Sequence, residues 1–110
     1  MKRWIHASRD IDSELSAIEQ KEQELKQLFK NNANISLVGE IKRNGFIDKY
    51  VVSRRLSGRG IELYKQTVDA DNPSRSFGGG VTLAKGPFYV AQYVLGLEES
   101  GIVFNIELLN

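Results

Sequence analysis

Cysteine is missing from this 110-residue chain, which excludes a disulfide framework, a thiolate metal site and a cysteine nucleophile together. Histidine occurs once, as His6, so no histidine pair exists to hold a metal, and a general-base role would need acids or a serine from distant segments. No apolar run approaches the roughly 20 residues of a membrane span, so no membrane association is expected. The basic opening Met1-Lys2-Arg3 leads into Arg9, Asp10 and Asp12 rather than into an apolar signal core. No signal peptide is therefore expected, and the cytoplasm is the expected location. The net charge of +1 selects no class of partner by itself.

What is present suits one folded domain spanning residues 1–110: 41% of residues are apolar and 26% charged, ordinary proportions for a chain that buries a core without staples. Between Asp10 and Lys30, Ile11, Leu15, Ile18, Leu25 and Phe29 recur at steps of three and four residues or their sum, one apolar stripe along a single helix. Ser8 or Asp10 is its expected N-cap, and the acids Asp10, Asp12 and Glu14 early with Lys26 and Lys30 late match the helix dipole. The helix should stop within Asn31-Asn32-Ala33-Asn34, because asparagine tolerates the left-handed conformation just past a helix end. Arg3 to Ala7 alternates enough to suggest a short strand before it.

Asn44-Gly45 lies between two β-prone runs, Ile35 to Arg43 and Phe46 to Arg54, the signature of a two-residue type I′ hairpin. That turn dictates the register: Arg43 faces Phe46, Ile41 faces Asp48, Glu40 faces Lys49, Gly39 faces Tyr50 and Leu37 faces Val52. Ile35, Leu37, Gly39, Ile41, Tyr50 and Val52 then form the core face, with Tyr50 covering the bare backbone of Gly39. Ser36, Glu40, Lys42, Lys49 and Ser53 form the other face. Ile61 to Val68 reads as a third strand, Asp69 to Gly80 as a long loop and Val81 to Ala84 as a short strand. Gly86-Pro87 marks the start of a second helix over Phe88 to Glu99, ended by Gly101 before a last strand, Ile102 to Leu108. A C-terminal hairpin turning at Glu98 to Gly101 is the alternative, since Phe88-Tyr89-Val90 is also strand-prone.

This order predicts an α+β fold: a largely antiparallel sheet with a long N-terminal helix and a second, C-terminal helix packed on one face, a variant of the ferredoxin-like order with an extra strand. The helix, hairpin, strand, helix order also resembles that of double-stranded-RNA-binding domains. Their glycine and clustered-lysine motif has no counterpart in Ala84-Lys85-Gly86-Pro87, so the resemblance is one of topology alone.

Chemistry-bearing motifs are few. Ser76-Phe77-Gly78-Gly79-Gly80 lacks the spacing of a phosphate loop, and Gly58-Arg59-Gly60 does not complete a dinucleotide fingerprint. Asp69-Ala70-Asp71-Asn72 lacks the glycine and the bidentate glutamate of a calcium loop, and ordinary turn chemistry accounts for it. The serines sit in no nucleophile elbow. No catalytic residue, metal or cofactor is assigned. A small enzyme with a site near Gly78 to Gly80 is the least favoured reading.

Surfaces therefore carry the functional expectations. Six bases and one acid lie between Lys42 and Arg59, whereas acids outnumber bases two to one between Asp10 and Lys30. Lys42, Arg43, Lys49, Arg54, Arg55, Arg59 and Arg75 are the candidate contacts for nucleic acid or a partner. Leu15, Ile18, Glu22 and Leu25 are the candidate helix interface, in a homodimer or with another protein: so regular a stripe suits pairing with another helix, and a two-fold pair would set Glu22, which interrupts it, near Lys21 or Lys26 of its mate. The opening Met1-Lys2-Arg3-Trp4-Ile5-His6-Ala7-Ser8 resembles the start of short accessory proteins encoded by phages and integrative elements of Gram-positive bacteria. That resemblance implies a small protein that binds other macromolecules, in the manner of host-targeting anti-CRISPR proteins, rather than an enzyme. The expected function is accordingly a non-enzymatic protein-interaction module with a protein partner, the alternative being a nucleic-acid accessory protein that uses the basic hairpin.

Overall fold

The computed structural model describes residues 2–32, 34–54, 60–72, 75 and 80–108, with the backbone alone for residues 2–11. The elements are α1 (Lys2–Asn31), β1 (Ile35–Arg43), β2 (Phe46–Arg54), β3 (Ile61–Asp69), β4 (Val81–Lys85), α2 (Pro87–Glu99) and β5 (Phe104–Leu108). The five strands form one antiparallel sheet in the order β4-β3-β2-β1-β5. The α+β architecture is the one expected from the sequence.

The first strand is not. Arg3 to Ala7 is helical, so α1 runs for 30 residues, about 45 Å, and neither Ser8 nor Asp10 is its cap. Extending a helix that already exists costs no new nucleus, and five alternating residues without a turn after them do not outweigh that. The free edge of β1 is also taken already, by β5. The early dipole match is lost with the cap, because the first turn holds no acid, while Lys30 still sits in the last turn. The helix stops where the asparagines predict, by another device. None of the described non-glycine residues has a positive φ; instead the backbone N–H and the side-chain amide of Asn32 both donate to the Leu28 carbonyl, at 3.1 and 3.0 Å.

The hairpin register is as derived, from Arg43 opposite Phe46 to Leu37 opposite Val52. Gly45 alone in the turn has a positive φ, +78°, so the turn is not type I′, which needs both central residues there. The core face is as derived except at its hairpin end: Ile35 and Val52 join Ile61 and Leu63 of β3 beneath Leu25, Phe29 and Ile18 of α1 and Val90, Ala91 and Val94 of α2, whereas Ile41 is 39% exposed and lies outside that cluster. Tyr50 stands opposite Gly39 but does not fill the space above it. Ile102 does: a Cβ at Gly39 would lie 2.6 Å from its Cγ2 and 3.2 Å from the Phe104 ring. The other face is less solvated than expected. Val38 and Val51 are cross-strand partners there, as are Ile47 and Val68, and all four are buried.

Helix α2 starts at Gly86-Pro87 and is not a hairpin. Its end is a Schellman motif: Gly101 at φ +103° donates to the Glu98 carbonyl and Ile102 to the Leu97 carbonyl, satisfying two of the carbonyls a helix end leaves free. Ile102 is thereby a buried cap residue, and β5 begins two residues later than expected. The two helices run antiparallel, since Lys21 reaches Glu98 at 2.9 Å while Lys26 and Phe29 lie beside Pro87. This ion pair offsets the acid that α2 carries at its own C-terminal end. Burial alone would lower the Lys21 pKa, and the hydrogen bond and charge of Glu98, with Glu24, raise it above the ordinary lysine value.

Candidate interaction surfaces

The expected basic surface is dispersed. Arg43 sits at the hairpin end of β2's partner strand and Arg54 at the far end of β2, eight residues from Phe46 and thus roughly 25 Å away along the strand. Arg43 donates to Asp48 at 2.8 Å, Lys49 lies 3.7 Å from Glu40, and Arg54 donates to the Phe29 carbonyl at the end of α1. Lys42 is exposed beside the hairpin, Arg75 is exposed in the loop after β3, and Arg55 and Arg59 lie outside the described residues. Gly80 alone of the Gly78 to Gly80 loop is described. The acids before it do turn chemistry, with the Asp69 carboxylate accepting from the Asp71 N–H at 2.9 Å and the Asn72 carbonyl from the Arg75 N–H at 2.9 Å.

Sequence reasoning missed the role of Asp48. Only 2% exposed on the helix-side face, it accepts from Thr67 Oγ1 at 2.7 Å and from Arg43, with Lys65 Nζ at 3.8 Å and over the Tyr50 ring. Burial pushes its carboxyl up, but the hydrogen bonds from Thr67 and Arg43 and the charges of Lys65 and Arg43 outweigh it and hold the pKa below the usual carboxylate range. An aspartate with its acceptors engaged by three cross-strand neighbours is a strap for the sheet end rather than a free base. No group of three or more His, Cys, Asp or Glu among the described residues is arranged to hold a metal ion.

The helix stripe is mostly used up. Ile18 and Leu25 belong to the chain's own core, which removes them from any partner surface, and Glu22 lies 3.4 Å from Lys26 one turn on. Leu15, 43% exposed, is the member of the expected interface left outside.

Two surfaces that the sequence did not single out are better formed. Between α2 and β4 lies a groove of about 560 Å³ lined by Leu83, Ala84, Tyr89, Tyr93, Gly96 and Leu97 together with the polar Lys85 and Gln92. Tyr89, Tyr93 and Gly96 share one face of α2 at helical spacing, Tyr89 is 64% exposed, and its ring is held edge-on by Phe88 at 5.6 Å. A Cβ at Gly96 would meet nothing within 4 Å. A glycine inside a helix costs about 1 kcal/mol relative to alanine, and no neighbour among the described residues uses the room it leaves. The second surface is the β5 edge, where Val103, Ile106 and Leu108 are 71%, 57% and 76% exposed.

No described helix is long and apolar enough to cross a membrane. Comparison with protein-family models, with curated proteins and with solved structures finds no match to this chain.

Proposed function

We propose that the chain is a non-enzymatic protein-interaction module that takes an apolar anchor side chain of a partner protein in the groove between α2 and β4. The observation that carries this is Gly96: a helix-interior glycine over open space, on one helix face with two exposed tyrosines, in a groove that Leu83 and Leu97 also line. Interfaces concentrate their energy in pockets of this kind, where an aromatic or aliphatic anchor is fully desolvated, and tyrosine is enriched in them because it offers apolar area with a polar tip at little entropic cost. The amino-terminal resemblance to accessory proteins of phages and integrative elements supplies a context in which the partner is a host protein. The nucleic-acid reading is weaker because Arg43 and Arg54 are held by groups of the same chain and lie at opposite ends of the hairpin.

Selection from a displayed random-peptide library tests the reading. The wild-type chain should enrich peptides sharing a large apolar residue, and Gly96→Leu, whose Cβ has open space and whose longer side chain would occupy the groove, should lose them by tenfold or more while its thermal unfolding is kept. Enrichment that Gly96→Leu and Tyr93→Ala leave intact places the binding elsewhere. Retention on nucleic acid but on no peptide overturns the reading in favour of the basic hairpin.

A further inference from the structure

We infer that two copies of the chain pair edge to edge through β5, antiparallel, with Ile106 on the two-fold axis. The sheet has two edges, and they are built differently. β4 carries an extra residue at Leu83, which breaks its register with β3, and a lysine, Lys85, at its end. Bulges and edge lysines are the devices by which natural sheets prevent a further strand from adding. β5, Phe104-Asn105-Ile106-Glu107-Leu108, has no bulge in its pairing with β1, no lysine and no proline, and two of its apolar side chains stand in solvent.

Its sequence is self-complementary about one point. With the axis at Ile106, Phe104 faces the partner's Leu108, Ile106 faces its own copy, and Asn105 faces the partner's Glu107. The apolar row then runs from Leu37 through Ile106 into the second subunit, since Ile106 is the neighbour of Leu37 on β1. Moving the axis to Glu107 sets two carboxylates directly opposite each other, a destabilising pair. Moving it to Asn105 leaves Leu108 without a facing strand residue. Charge and apolar pattern thus select the same register. The defended β4 edge prevents the head-to-tail alternative, β5 on the partner's β4, which would not close and would propagate. A stable interface buries about 800 Å² per partner, more than a five-residue strand supplies, so the pair belongs with weak dimers, with a Kd in the micromolar range.

The chain has no cysteine, so single-cysteine variants report the geometry directly. Under mild oxidation Ile106→Cys should form a disulfide-linked dimer, because directly opposed Cβ atoms lie about 5 Å apart. Val103→Cys should not, since the two copies of that residue would be separated by about 20 Å. In sedimentation equilibrium the wild type should associate, Ile106→Lys should weaken the dimer at least tenfold, and Asn105→Lys, which sets a cation against the partner's Glu107 twice, should tighten it severalfold. A wild type that stays monomeric to about millimolar concentration overturns the inference, as does a dimer that Ile106→Lys leaves unchanged or crosslinking as efficient at Val103 as at Ile106. The α2 groove is untouched by these changes: Ile106→Lys should keep the peptides that the groove selects, and Gly96→Leu should keep the dimer.

Discussion

Replacing Gly39 by alanine should destabilise the fold although it adds one methyl group. An ideal Cβ there lies 2.6 Å from Cγ2 of Ile102 and 3.2 Å from two atoms of the Phe104 ring, and Ile102 is 5% exposed, so it has little room to retreat. Added methylenes in a packed core cost about 1–3 kcal/mol. Alanine recovers about 0.5–1 kcal/mol because glycine loses more backbone freedom on folding, which leaves a net loss of about 1–2 kcal/mol. For a domain of this size that corresponds to roughly 4–8 °C in Tm. The obstructing atom is the branch at Cβ of Ile102, so Ile102→Leu, which removes that branch at nearly constant volume, should recover part of the loss when combined with Gly39→Ala. Urea unfolding of the four members of this double-mutant cycle gives the coupling directly. Additive effects within about 0.3 kcal/mol, or a neutral Gly39→Ala, would refute the contact between the α2 cap and the sheet as the reason for this glycine.

Leu25, 2% exposed between the helices and the sheet, should cost about 2–5 kcal/mol when cut to alanine, measured by chemical denaturation. Gly96→Ala should do the reverse, raising stability by up to about 1 kcal/mol, and a loss would mean that the space above α2 is filled. Asp48 predicts an acid limb. Its folded pKa is lowered, so its contribution is fully present above the unfolded value of about 3.9 and is lost as pH falls through the folded value. Urea unfolding across pH 2–7 should therefore find Asp48→Asn less stable than wild type at neutral pH, with the gap closing below about pH 4. Lys21 acts with the opposite sign, because its raised pKa confines its contribution to pH below the ordinary lysine value, with loss as pH rises through the folded one. Lys21→Met should match wild type most closely at strongly alkaline pH.

The elements that local chemistry specifies were legible. Asn44-Gly45 set a register that holds residue by residue, because a two-residue loop leaves the flanking strands no slack. Gly86-Pro87 and Gly101 bracketed α2 because a proline at the first helical position and a glycine past the last are each tied to one backbone conformation. Where a choice depended on something distant, the reading failed. Arg3 to Ala7 became helix because the sheet edge it would have joined is filled by residues a hundred positions later. Asp48 read as a polar residue in a hairpin, and its role arises only when β3 brings Thr67 and Lys65 beside it.

The candidate surfaces follow the same division. The alternation in Phe104-Asn105-Ile106-Glu107-Leu108 says that one face of β5 is apolar, and it reads as core-facing. Whether anything reaches that face is a property of the sheet order. α2 covers the same face but over β3 and β4, toward the opposite edge of the sheet, so of the apolar row on β5 only Phe104 is packed against the core. Gly96 poses the same problem in a helix: a sequence shows a glycine that weakens α2 but not that the space it leaves is unclaimed by the other described residues. In both places the informative signal is a conflict between a local pattern and its surroundings, an apolar face without a cover and a helix weakened with no internal gain. Chains that fold well resolve such conflicts except where a site needs them, and that is the physical ground for proposing binding at these two surfaces rather than at the more conspicuous charges of the hairpin.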